Sequence, residues 1–352
     1  MTELAKADSP ALQPRLALCT ALPEELAACR LILDDPPPVN PHSREDNNQY
    51  WCGTLPSRAN GPTHQVLLTS LVKMGNNVAA AAVTNLVRSF PSVEYVLMVG
   101  IAGGVPDPQN SENHVRLGDV VISNEKVVLQ YDNIKRTSGG RKSARIKIRD
   151  NSPKPGAALI GAAKALASEF DLGRRPWEAH LNKAERFPNF QRPGPETDVL
   201  YDDRLPSRQI PHPKDPWRER HPTSPRVHLA LIGSANTLLK DVALRNELRD
   251  RHGVRAIEME GSGTADAAWS AGRDYLVVRG ICDYCDDYKN DLWHAYAGIW
   301  QPAGVFDRRA ARLLGRRARA RPQPVLRGPP AGALDLFAPP IVARGRRHGG
   351  VC

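Results

Sequence analysis

An α/β fold is what this chain predicts, and three observations carry it. Apolar strand-like runs alternate with segments of helical periodicity, one such strand breaks into a glycine turn (YVLMVGIAGG), and another ends in a carboxylate (YLVVRGICD, Asp283). Ligands of open α/β sheets bind beyond the carboxyl ends of the strands, so Asp283 stands where chemistry usually occurs.

Residues 1–14 read as a loose leader. From Arg15, RLALCTAL has the character of a buried strand, and PEELAACRLIL follows as a helix with Pro23 suited to its first position. Residues 50–55 and 64–72 read as two strands joined by a Pro/Gly turn, and NNVAAAAVTNLVRSF as a helix capped by an asparagine. The glycines after YVLMV let the backbone approach a ligand closely. HVRLGDVVISNEKVVLQYD supplies one or two further strands, and residues 156–169 a helix. From about 172 to 226, Pro, Arg, His and Asp dominate without periodicity, which reads as a long insertion or lid outside the core. Order resumes with VHLALIGSANTLL, the helix-like KDVALRNELRDRHG, the segment AIEMEGSG with its small-residue helix, and the strand ending at Asp283.

Composition limits the function classes. With 41% hydrophobic and 24% charged residues the 352-residue chain can bury a full core in one large or two modest domains. No apolar run reaches the length of a membrane span, about 18 residues, so no membrane partner is expected. The N-terminus lacks the apolar block of a secretory signal, and the six cysteines form no regular framework, so a cytoplasmic protein is expected. Residues 301–352 hold eleven arginines against two aspartates, so nearly all of the formal charge of +10 lies in an Arg/Pro/Gly-rich tail that reads as disordered. Nucleic acid is an expected partner of at most that tail, and the rest of the chain is nearly neutral.

The motifs ALPEEL, VGIAGG, RLGDVVIS, IEMEGSG and VRGICDYCDDYKNDLWHAYA, in that order, resemble the nucleoside phosphorylase and nucleosidase superfamily. They are most similar to methylthioadenosine/S-adenosylhomocysteine nucleosidase-like domains, and the KND, Trp293 and Tyr296 segment to the branch associated with defence. The resemblance implies a mixed central sheet flanked by helices over residues 15–300, with the insertion at about 172–226. It further implies a purine nucleoside or nucleotide as substrate, a homo-oligomer, and neither metal nor cofactor.

Cleaving an N-ribosyl bond requires protonation of the departing purine, and Asp283 at a strand end can act as that acid. By resemblance, Glu260 binds the ribose hydroxyls, Met259 packs on the sugar, and Glu258 is a further substrate contact. Water activation falls to Glu25, with Glu24 as the competing choice. Gly100, Ala102 and Gly103 form the glycine turn beside the substrate, and Asn236, Leu238 and Leu239 lie on the base-contacting stretch. Asn236 replaces an acidic position common in the family.

Hydrolysis and phosphorolysis both remain open. Phosphorylases hold phosphate with an Arg and a Ser or Thr beside the glycine turn. Here those positions read Met98 and Ile101, and the first loop carries two acids and no Arg, which favours water as nucleophile. Arg174, Arg175, Arg218 and Arg220 of the insertion are either solvated charges or phosphate ligands folded over the pocket. Cys282 and Cys285 form a single CxxC without a second pair, a weak metal signal. A nucleoside-sensing module is the competing non-enzymatic reading. Gly298, Pro302 and Gly304 predict that the closing helix of the family is interrupted.

Overall fold

A computed structural model describes residues 12–55, 63–137, 145–149, 151–175, 184, 186–205 and 207–305. Most of the expected leader and nearly all of the basic tail therefore lie outside the described residues. The strands are β1 (Leu16–Thr20), β2 (Pro38–Val39), β3 (Tyr50–Leu55), β4 (His64–Ser70), β5 (Tyr95–Gly104), β6 (Val120–Ser123) and β7 (Leu129–Gln130). They continue with β8 (Ile134–Thr137), β9 (Arg145–Ile148), β10 (Leu200–Tyr201), β11 (Gln209–Ile210), β12 (Val227–Ser234), β13 (Val254–Glu258) and β14 (Asp274–Asp283). The α-helices are α1 (Pro23–Ile32), α2 (Asn76–Ser89), α3 (Ala157–Asp171), α4 (Pro216–Arg220), α5 (Val242–His252), α6 (Gly261–Ser270) and α7 (His294–Val305).

The main sheet is mixed, with the order β13-β12-β6-β14-β5-β1-β4-β3-β2. β1, β5 and β14 run parallel at its centre and are buried almost throughout, the pattern of strands covered on both faces. β13 pairs with β12 and also, antiparallel, with β5 through Ala256–Gly104 and Ile257–Gly103, so five strands close on themselves. That closure is what places the end of β13 beside the glycine turn of β5. α1 and α7 pack together over the β14 and β5 surface, and α2 packs on α6. A Cβ at Gly263 of α6 would collide with the Asn76 carbonyl, which is why that contact needs a small residue.

Three expectations are corrected. The cap of α2 is Gly75, without a capping side chain of its own; the Asn76 N–H instead donates to Oδ1 of Asn236, 160 residues away. The closing helix runs through Gly298 and Pro302 to Val305, where an interruption was expected, because the 294–299 segment buries Tyr296, Ala297 and Ile299 in the main core. The described part of the insertion is tied down and carries its own short elements. Arg218, itself partly buried, is paired with the fully buried Asp119, Arg116 with Asp198 at 2.7 Å, and Arg226 with Asp215 at 3.0 Å. Arg218 is thus not a solvated loop charge; Arg175 reaches Ser224 and Arg174 reaches Glu169. Among the described residues no helix is long and apolar enough to cross a membrane.

Candidate active site

Glu25 enters the site from the first turn of α1, held there by Pro23 and by the tight exit from β1. Its carboxylate is almost wholly buried and accepts three backbone N–H groups: Ala21 at 2.7 Å and Leu22 at 2.9 Å on Oε2, and Ile101 at 2.7 Å on Oε1. The side chain thereby occupies a nest of amides that an external anion would otherwise use. Burial raises the Glu25 pKa, although Arg279 and those amides act the other way.

Arg279 lies in β14 opposite Gly100 of β5 and is fully buried. Its Nη2 pairs with Glu258 and, at 3.1 Å, with Glu260. Nε and Nη1 have no hydrogen-bond partner among the described residues. A Cβ at Gly100 would collide with Nη1 and come within 2.7 Å of Glu25 Oε1, so Gly100 lets the two groups meet over the strand. Burying donors of a guanidinium without partners costs about 1–3 kcal/mol per group, so these two nitrogens stand out among the buried polar atoms of the described residues.

Glu258 is engaged within the protein, because its oxygens also accept the N–H groups of Glu260 (3.0 Å) and Gly261 (2.8 Å) at the start of α6. Glu260 accepts the Gly75 N–H at 3.0 Å. Burial, with Glu258 and Glu25 adding repulsion against the pull of Arg279, pushes the Glu260 carboxyl up to about 7. Three carboxylates and one guanidinium therefore share one buried cluster.

Asp283 terminates β14 in near-complete burial. Oδ1 accepts the Cys285 N–H at 2.8 Å, and Oδ2 accepts from Lys289 Nζ at 2.8 Å and from Cys282 Sγ at 3.3 Å. Gly103 is again a required glycine: a Cβ there would strike Cys285 Sγ and lie 2.8 Å from Asp283 Oδ1. His294 starts α7, faces Glu24 at 3.5 Å, and brings a ring nitrogen within 4.8 Å of Asp283 and Cys282. Cys282, Asp283 and His294 could in principle hold a cation, but the Lys289 ammonium already sits on the Asp283 carboxylate. Burial pushes both the Cys282 and Cys285 thiols well up.

A family model described as the phosphorylase superfamily matches residues 15–312. The chain belongs to the phosphorylase superfamily. It is 31% identical over 288 residues to a nucleotide-binding leucine-rich repeat (NLR)-like protein of Hyaloscypha variabilis, covering 79% of this chain and 27% of that protein. It is 28% identical over 304 residues to the ATP nucleosidase Cap17 of Escherichia coli, covering 84% and 52%. The chain thus spans about half or less of the length of these curated relatives. Among solved structures it is similar to the 5′-methylthioadenosine/S-adenosylhomocysteine nucleosidase of Neisseria meningitidis in complex with methylthio-immucillin-A, with TM-score 0.53, 18% identity, and 86% and 99% of the two chains covered. The futalosine hydrolase of Helicobacter pylori gives TM-score 0.50 at 16% identity, covering 86% and 96%. At those identities the likeness concerns the fold.

Within this superfamily member the structure brings Glu25, Glu258 and Glu260 together, and sets Gly100 beside the first and Gly103 beside Asp283. Glu24 is separate, turned toward α7 and His294. The Ala102 carbonyl lies 3.5 Å from Cys282 Sγ, and Met259 is partly exposed between two buried glutamates. Leu239 is buried in the second core cluster with Ile257 and Cys285, whereas Leu238 is half-exposed. Asn236 is tied to the scaffold through its Oδ1, which serves the start of α2, and its own N–H, which goes to Asp132 at 2.9 Å. Sequence reading missed Arg279 and Lys289. The signal for Arg279 was present: a lone arginine inside YLVVRGIC cannot be buried without acidic partners.

Proposed function

We propose that the chain hydrolyses the N-ribosyl bond of a purine nucleoside or nucleotide of adenine type. The observation that carries the choice of water is Glu25: its own carboxylate fills the amide nest after β1 and beside Ile101, where a phosphorylase would need to place phosphate. A second anion there would meet a buried negative charge. Superfamily membership, and similarity to relatives named as nucleosidases, support the same reading.

In this reading a water lies between Glu25 and the unused edge of Arg279. Glu25 takes its proton as the oxygen attacks C1′, and its raised pKa suits a general base. Glu260 holds the ribose hydroxyls, with Met259 along the sugar. Arg279 keeps the carboxylates compatible with one another while positive charge develops on the ribose. Asp283, beyond the end of β14, delivers a proton to the departing purine.

Incubation with adenosine, methylthioadenosine, inosine and ATP, with and without phosphate, tests this directly. Free base with free ribose or its 5′-phosphates, at a rate independent of phosphate, is the expected chromatogram. Ribose 1-phosphate formed only with phosphate present would replace hydrolysis by phosphorolysis, and no turnover of any of the four would leave a sensing module.

A further inference from the structure

We propose that Lys289 supplies the proton that Asp283 passes to the departing base, so that the acid of this site is a lysine–aspartate couple. The proposal rests on the reading of the site as an N-ribosyl-cleaving centre. All the polar contacts described for the Asp283 carboxylate are to donors: the Cys285 N–H, Lys289 Nζ and Cys282 Sγ. A carboxylate so surrounded is an acceptor with no proton of its own to give. An amide proton is not transferable at neutral pH, and the Cys282 thiol, 2% exposed, is closed to reprotonation from solvent. Lys289 is the donor left, 2.8 Å from Oδ2, and its side chain is 20% exposed, which opens it to reprotonation from solvent.

The groups facing this couple are Cys282, Cys285 and Asp286 from β14 and the turn after it, Arg245 from α5 beside Cys285 and Asp286, His294 from α7, and Glu24 from α1 behind His294. Burial lowers the Lys289 pKa, but the charge and hydrogen bond of Asp283, with Cys282 and Cys285, together outweigh it and leave the value raised, so the ammonium persists at neutral pH. As the C1′–N9 bond breaks, its electron pair goes to the purine. One proton moves from Nζ to Oδ2 and on to the ring nitrogen, leaving a neutral amine. The attacking water bonds to C1′ and gives its proton to Glu25. Solvent then takes the proton from Glu25 and returns one to Lys289, so the cycle balances.

The test compares Lys289→Met and Lys289→Arg with the wild-type protein on two probes: adenine release from adenosine and ATP, and cleavage of 4-nitrophenyl β-D-ribofuranoside, whose leaving group departs without protonation. Both variants are expected to lose adenine release by about 10²- to 10⁴-fold, the range of general acid catalysis, while nitrophenolate release changes by less than about tenfold. Arginine keeps the charge but does not give up a proton, so recovery of adenine release in Lys289→Arg would overturn the relay in favour of charge alone. An equal loss on both probes would overturn it in favour of a structural role. If the wild-type protein cleaves neither probe, the underlying functional reading fails before any variant is made.

Discussion

Glu25, Arg279 and Glu260 show how single residues acquire chemistry from burial. Glu25→Gln keeps the size but has only one acceptor oxygen for amides that now use two. We expect hydrolysis to fall by about 10²- to 10⁴-fold with base and sugar binding retained, read as kcat against KM. Because burial raises the Glu25 pKa, and the base must be ionised, the acid limb of the rate–pH profile should lie above the ordinary glutamate range; a limb at or below about pH 4.3 would refute that role. Glu260 carries a stability prediction. Its folded pKa of about 7 exceeds an unfolded value of about 4.3, so its contribution is fully present below that lower value and is lost as pH rises through 7. Glu260→Gln stays neutral, so its Tm relative to wild type should be more favourable at pH 8 than at pH 5. Equal differences at the two pH values in thermal unfolding would count against the raised pKa.

At the scale of elements, β5 works through what it lacks. Gly100 and Gly103 leave room for Arg279 and Glu25 on one contact and for Asp283 and Cys285 on another. Gly100→Ala should destabilise by about 1–3 kcal/mol through overpacking and also abolish turnover, since the methyl group falls on the paired functional groups. Asp241 at the start of α5 gives a contrast. It caps the N–H groups of Ala243 and Leu244, so Asp241→Ala should cost about 1 kcal/mol in urea unfolding and leave kcat unchanged. The longer strands and helices were legible in the sequence because their apolar runs and periodicities are local, whereas the short elements within the insertion were not. The side chain that serves the start of α2 was not legible: it is Asn236, and no local pattern announces a partner 160 residues away.

Over the whole molecule, the insertion is fastened to the sheet by buried charge. Asp119 sits before β6 and receives Arg218, the Arg226 N–H and His228. Burial alone would raise its pKa, but Arg218 and His228 outweigh that and hold it well below the usual carboxylate range. Its contribution is therefore present above an unfolded pKa of about 3.9 and lost as pH falls toward the folded one. Asp119→Asn should cost about 3–5 kcal/mol, because it strands buried positive charge, and should open residues 172–226 to limited proteolysis at neutral pH. An unchanged digestion map would refute the anchoring.

By itself, the sequence determined the α/β alternation and the two acidic strand ends, which are visible as periodicity and composition along the chain, and it pointed to Glu25, Glu260 and Asp283 through the resemblance of their motifs to a known superfamily. Only the tertiary structure buried Glu25 among three backbone amides and turned Glu24 toward His294, gave Glu258 its backbone and Arg279 partners, and set Lys289 against Asp283. These outcomes depend on which strands become neighbours. Pairing β13 with β5 closes the sheet, and β14 with β5 sets Arg279 against Gly100. The electrostatics of the site follows from those distances and from the exclusion of water, neither of which is written in spacing along a chain.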